Sequence, residues 1–403
     1  MFKIALRNIL RQRRRSLLTS LTMLGGFVLA AVSIAWGDGT YNDVIRLFTH
    51  SRLGDIQIHA GDYTDNPSLY KTLKQYENIG ADVSRLLHVE QWAPRVYSGA
   101  LVSVAQKTSI AQIIGIDPVR EEATTGFDGK IVDGDSFSVA GTNEVIIGRG
   151  LARLLETQTG NEIVVVTQAA DGSIANDLYT IIGLTESGDE MRDKTDFYLR
   201  LQDAQSLLVL DNQVHEIAVT VDRMKYVRST ALAIEKALDN PGISVEPWQE
   251  FARDFYIAMK ADLQGLWIML AIIVVVVAVG VLNTVLMSVL ERRREYGVLL
   301  ALGTRPVGIF GIVICETAIL ALASIAVGTV IALAVNYALS IHGIALSDPY
   351  TYGGVTFDRF RTEINVRSIM IPALTVFFAA VVVAILPGMK AARTDPARSM
   401  RMH

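Results

Sequence analysis

The chain predicts an α-helical membrane protein with four transmembrane helices and a large α+β extracytoplasmic domain between the first two. Three observations carry that prediction. Four apolar runs (17–37, 263–290, 306–340 and 368–387) each reach or approach the roughly 20 residues needed to cross a bilayer. Residues 38–262 are ordinary globular sequence with 34 acidic and 20 basic side chains. Segments 1–16, 291–305 and 388–403 carry 14 basic and 3 acidic side chains, which places them in the cytoplasm by the positive-inside rule.

In chain order, 1–16 has six basic side chains and no acid. Phe2, Ile4, Ala5, Leu6, Ile9 and Leu10 share a face if the segment is helical, which predicts an amphipathic helix on the cytoplasmic leaflet. The 17–37 run is the first span. A cleaved signal peptide is the rival reading, but a signal h-region is typically only about 7–15 residues long. Gly25 and Gly26 would allow close approach of a neighbouring helix.

Alternating strands and short helices fill 38–262. Strands are expected over 55–60, 96–104, 108–116, 143–148 and 160–168, with a returning strand after the Asp171-Gly172-Ser173 turn. Helices are expected over 67–78, 203–210 and 227–238. A central lobe at about 100–195 reads as an insertion into the outer one. Helical character returns at Trp248 and runs unbroken to Leu290, a rod able to carry motion between ectodomain and bilayer. Trp267 is placed as an interfacial anchor, and Asn283 reads as a helix–helix hydrogen-bonding group in the second span.

The third span, 306–340, contains one charge, Glu316. An intramembrane carboxylate is a functional candidate by default. The alternative is a structural Glu near the cytoplasmic interface. A loop with Pro349, Gly353 and Gly354 (341–367) returns outside, the fourth span follows, and 388–403 is a basic cytoplasmic tail.

The sequence carries no Walker A loop, no His-Glu-x-x-His and no Gly-x-Ser-x-Gly. The six histidines are scattered and Asp117-Pro118 reads as a turn. The single Cys315 excludes an intrachain disulfide. The basic segments are short and juxtamembrane, so they fit topology and anionic headgroups and exclude a nucleic-acid role. A chain of this kind moves or holds something and binds no cofactor itself. In the 291–305 segment, Glu291 and Glu295 stand four residues apart on one face. Val298, Leu299 and Leu302 follow beside them, so an apolar turn next to charge predicts a docking surface for a protein.

The run Glu291-Arg292-Arg293-Arg294-Glu295-Tyr296-Gly297-Val298-Leu299-Leu300-Ala301-Leu302-Gly303 resembles the coupling segment of the FtsX/MacB-type ABC transporter permeases. So do Ala5-Leu6-Arg7-Asn8-Ile9 before the first span, Glu316 in the third, and Pro387-Gly388-Met389-Lys390-Ala391-Ala392-Arg393-Thr394-Asp395-Pro396 at the end. Ile114 to Pro118 and Glu144 to Gly160 are similar too. Leu300 departs from the family, which often has a basic residue there. The resemblance implies an inner-membrane permease with both termini cytoplasmic and a periplasmic domain of Porter- and Sabre-like lobes. It implies a dimer with a second copy or a paralogue, and two ATPase subunits that hold ATP–Mg. Glu291, Arg292, Glu295, Tyr296, Gly297, Leu299, Leu300 and Gly303 would then be the coupling residues. In layout the chain is similar to the lipoprotein-releasing LolC and LolE types, which implies a lipoprotein or its periplasmic carrier as the further partner. Two alternatives belong to the same family: a transmembrane scaffold that activates a cell-wall hydrolase, and MacB-like export of an amphiphile or peptide.

Overall fold

The computed structural model describes residues 2–11, 13–138, 141–352 and 355–394. Asp395 and Pro396 of the tail, and Gly353 and Gly354 of the short loop, lie outside the described residues. Two compact units divide the chain. One is built from residues up to 41, from 259–346 and from 359 onward; the other comprises 42–258 with 347–358.

The first unit is a helical bundle. Its elements are α1 (Phe2–Arg11), α2 (Arg13–Phe48), α3 (Arg253–Glu291), α4 (Arg293–Ala301), α5 (Pro306–His342) and α6 (Val366–Ala392). α2, α3, α5 and α6 are long and apolar enough to cross a membrane, and α2 and α3 each carry residues of both units. The bundle has one continuous core. Met23, Phe27 and Ala31 of α2 meet Val277, Val281 and Val285 of α3, Ile309, Val313 and Ala321 of α5, and Val376, Ala380 and Ala384 of α6.

Small residues set the closest approach between α2 and α3. A Cβ on Gly26 would collide with Val277, and one on Gly280 would stand 2.7 Å from Thr22 Cγ2. Gly25, expected to share that role, faces open space. At the end of the bundle away from α4, Asp38 accepts from Asn365 at 2.9 Å and pairs with Arg367 at 3.5 Å. The Arg367 guanidinium lies over the half-exposed Trp267 ring, the aromatic-and-cation arrangement of a membrane interface.

The second unit is built on one sheet. Nine of its ten described strands are β1 (Ile56–Ala60), β2 (Val89–Val104), β3 (Lys107–Ile116), β4 (Glu144–Gly148), β5 (Glu162–Gln168), β6 (Ile174–Thr185), β7 (Asp196–Arg200), β8 (Glu216–Val221) and β9 (Ile243–Pro247), and the tenth, Ile131–Gly134, pairs antiparallel with β6. The order β9-β1-β8-β2 is antiparallel throughout. The long β2 then continues into a closed ring, β2-β3-β7-β4-β6-β5, in which β5 pairs back onto β2. Within it, β3–β7 and β4–β6 are parallel. Closure removes most free edges, and alternation fills the interior: β5 turns Ile163 and Val165 inward and leaves Val164 and Val166 outside. Helices 149–155 and 201–208 add Leu151, Leu155, Ala204 and Leu207 to the same core.

Three local expectations are corrected here. The helix expected over 67–78 is instead Tyr76–Ser84. Leu73 and Lys74 are drawn into a two-residue strand with Gln213 and Val214, so tertiary pairing overrides helical pattern. Asp117-Pro118 starts the helix Pro118–Thr125: the Asp117 carboxylate accepts from the N–H groups of Val119 and Arg120, both at 3.1 Å, with Pro at the first helical position. The helix expected to run unbroken from Trp248 to Leu290 is interrupted: a short helix Trp248–Phe251 ends at Ala252, which leaves the helical region at φ −107° and ψ 44°, and α3 starts afresh at Arg253.

The acidic residues of this unit are not all solvated. Arg95 on β2 is buried between two carboxylates, bidentate to Glu121 at 2.7 and 2.9 Å and bonded to Glu216 at 2.8 Å. The Tyr97 hydroxyl donates to Glu216 and the Thr125 hydroxyl to Glu121. One guanidinium thus ties β2, β8 and helix 118–125 together. Burial alone would raise Glu121, but the Arg95 guanidinium overrides it and holds the carboxyl below its ordinary range.

Candidate coupling site

The charged end of the bundle is assembled from α2, α4, the α3–α4 junction and α5. α4 is short because of how it stops. Gly303 sits at φ +90°; its N–H bonds Leu300 O and the Thr304 N–H bonds Leu299 O, both at 3.0 Å. This is a Schellman stop, and a left-handed glycine is the residue it requires. Pro306 then opens α5 at its first position, where a missing N–H costs nothing.

α4 has two faces. Tyr296 and Gly297 are buried, and Leu299 and Leu300 are half-buried against the core of the spans. Val298 and Leu302 are exposed, Leu302 to 79%. Val307 at the start of α5 extends the same apolar end at 76%. The residues singled out in the sequence therefore divide. Glu291, Glu295 and Gly303 are exposed with Val298 and Leu302, whereas Arg292, Tyr296 and Gly297 point into the protein.

Arg292 is the hinge of the charge network. Its Nε donates to Glu295 at 3.0 Å and its Nη1 to Glu316 at 3.1 Å, and its guanidinium lies against Tyr296. Only 7% of the side chain is exposed. Glu316 thus has a partner, and the carboxylate is tied to the α3–α4 junction. Beside it a cavity of about 30 Å³ is edged by Thr19, Ser288, Thr317 and Arg15. Arg15 in the first turn of α2 grips Glu291 with two bonds of 2.5 Å, and Arg11 approaches Glu295 at 3.7 Å. Glu291 and Glu295, four residues apart, are thus held by Arg15 at the start of α2 and Arg11 at the end of α1.

Asn283 is placed differently from its expectation. It lies on the exposed face of α3, and no hydrogen bond to its side chain occurs among the described residues.

Residues 16–237 match the MacB-like periplasmic core domain, and residues 267–396 match the FtsX-like permease C-terminal domain. The chain belongs to the MacB/FtsX-type family of ABC transporter permeases. This permease is 24% identical over 324 residues to the lipoprotein-releasing system transmembrane protein LolC of Neisseria meningitidis serogroup B, covering 77% of each chain. It is 24% identical over 415 residues to the macrolide export ATP-binding/permease protein MacB 2 of Aeromonas hydrophila, covering 99% of this chain and 60% of that one. Among solved structures, the periplasmic region of MacB from Actinobacillus actinomycetemcomitans overlays with a TM-score of 0.37 at 11% identity, covering 50% of this chain and 92% of that one.

The sequence of this permease singles out Arg292 as a coupling residue but not its pairing with Glu295 and Glu316, nor the pairings of Arg11 and Arg15. A signal was present. Three consecutive arginines (13–15) and an acid pair spaced four apart both stand at the same end of neighbouring spans, and opposite charges at one depth of a bundle find each other.

Proposed function

We propose that this permease is the transmembrane subunit of a mechanotransmission ABC transporter, driven by separate cytoplasmic ATPase subunits that supply ATP–Mg. The observation that carries the reading is the divided character of α4. Val298 and Leu302 face outward with Glu295 beside them, while Tyr296 and Leu299 are rooted in the span core. A surface helix with an exposed apolar ridge and a buried root suits transmission of force from a docked partner. α2 and α3 are each one helix from the bundle into the ectodomain, so a push at their charged ends has a stiff path onward.

In this reading the chain lies in a bacterial inner membrane with both termini cytoplasmic and 38–262 periplasmic. It pairs with a second copy or a paralogue. The likeness to a lipoprotein-releasing protein over 77% of the chain favours a lipoprotein as cargo, handed to a periplasmic carrier. The likeness to a macrolide export protein supports export of another amphiphile as the second reading. Co-purification with the ATPase encoded beside it tests the first step. L302D and V298D are expected to abolish complex formation while the melting temperature of the permease stays unchanged. Undiminished complex formation by the double variant would refute the docking surface.

A further inference from the structure

We propose that the groove between the start of α2 and the end of α3 is a binding site for an anionic phospholipid of the leaflet that meets this end of the bundle. The groove has a volume of about 840 Å³. Arg11, Arg13, Arg14 and Arg15 line it, and Glu291 is the one acid in the lining. That acid is already engaged by Arg15 through two bonds of 2.5 Å. Arg11 also approaches Glu295 at 3.7 Å, so four arginines stand against two acids and the groove keeps a net positive charge. Guanidinium groups bind phosphate oxygens in pairs of parallel hydrogen bonds, and basic pockets between spans at the cytoplasmic side select anionic headgroups.

The deeper part of the groove is different. Leu18 and Met287 line it and are more than half exposed. Leu21 on α2 and Val279 on α3 continue exposed apolar surface toward the middle of the spans. Asn283 lines the groove about two helical turns below Glu291, with an amide that no described residue bonds. A ligand that meets all of this has a phosphate at one end, ester oxygens behind it and an acyl chain beyond. A free phosphate or a nucleotide uses the arginines and leaves Leu18 and Met287 uncovered. The site rests on the reading that this end of the bundle meets the cytoplasmic leaflet, but it does not depend on an ATPase docking at α4.

The test uses the purified full-length chain in nanodiscs of mixed phosphatidylglycerol and phosphatidylcholine, with retained lipid counted by native mass spectrometry. Wild type is expected to retain phosphatidylglycerol in preference to phosphatidylcholine. R13Q/R14Q is expected to lower that retention about tenfold or more, given the contribution of each arginine near an anionic headgroup. R293Q/R294Q, the same charge change on α4, is expected to leave it near wild type. A photoreactive phosphatidylglycerol, which needs no variant, is expected to label peptides 11–18 and 283–290. Equal loss in the two variants, absence of headgroup preference, or labelling elsewhere would overturn the site. So would displacement of the lipid by millimolar inorganic phosphate alone, which would make the groove a free-anion site. Absence of lipid selectivity in the wild type with an intact ATPase complex condemns this site alone, and selectivity without complex formation condemns the docking reading alone.

Discussion

Arg95 and Arg292 are buried cations that each hold two carboxylates; both are buried at Arg95, whereas at Arg292 Glu316 is largely buried and Glu295 is exposed. Removing Arg95 strands both of its anions and removing Arg292 strands Glu316, whereas neutralising one anion leaves the cation a partner. R292A is therefore expected to destabilise the detergent-solubilised chain by about 3 kcal/mol or more, and E316Q by clearly less, as read from thermal melting. An equal effect would mean that the Arg292–Glu316 pair is not the anchor of the α3–α4 junction.

Glu121 gives a pH signature in the other unit. Its folded pKa is depressed below the ordinary value of 4.5, so its stabilisation is complete above that value and is lost as pH falls through the folded pKa. The melting temperature is expected to drop below pH 4.5, with a shallower slope in E121Q. Neither cluster was legible in the sequence, since Arg95, Glu121 and Glu216 lie on three elements that only the folded sheet brings together. The acidic composition of 38–262 reads as a solvated surface for the same reason. Glu316 was visible because one charge in a long apolar run stands out, but its partner sits on the neighbouring segment.

Among elements, the four long helices were the most legible, because apolar length needs no tertiary context. α4 was legible as an apolar turn beside charges. Which of its leucines faces out was not, because that depends on rotation about the helix axis, fixed by the Tyr296 anchor and the Gly303 stop. G303A would force a Cβ into the left-handed region. It is expected to cost about 1 kcal/mol or more and to weaken ATPase coupling by misdirecting Leu302. Melting and the ATPase activity of the complex, measured side by side, check both. Closure of the ring through β5 and β2 was beyond sequence pattern, since periodicity gives the face of a strand and not its neighbour. α3 offers a sharper test of transmission. A diglycine inserted after Ala258, inside the helix, is expected to leave ATPase binding intact and uncouple hydrolysis from release of cargo. Full coupling in that variant would mean that the helix is not the path.

For the whole molecule, the overall charge of −4 conceals opposite ends: a net acidic central segment and strongly basic short segments beside the spans. That asymmetry made the architecture readable before any helix was placed. The structure adds how the basic end is held together, with arginines from α1, α2 and the α3–α4 junction holding the acids around α4. The claim on which the functional account stands is that α4 is rooted by one face and docked by the other. A photoreactive side chain placed in turn at Leu302, Val298 and Leu299, in membranes that contain the partner ATPase, addresses it directly. The account predicts cross-links to the ATPase from 302 and 298 and none from 299. Cross-linking from 299 alone, or from none of the three in a complex that still hydrolyses ATP, would contradict it.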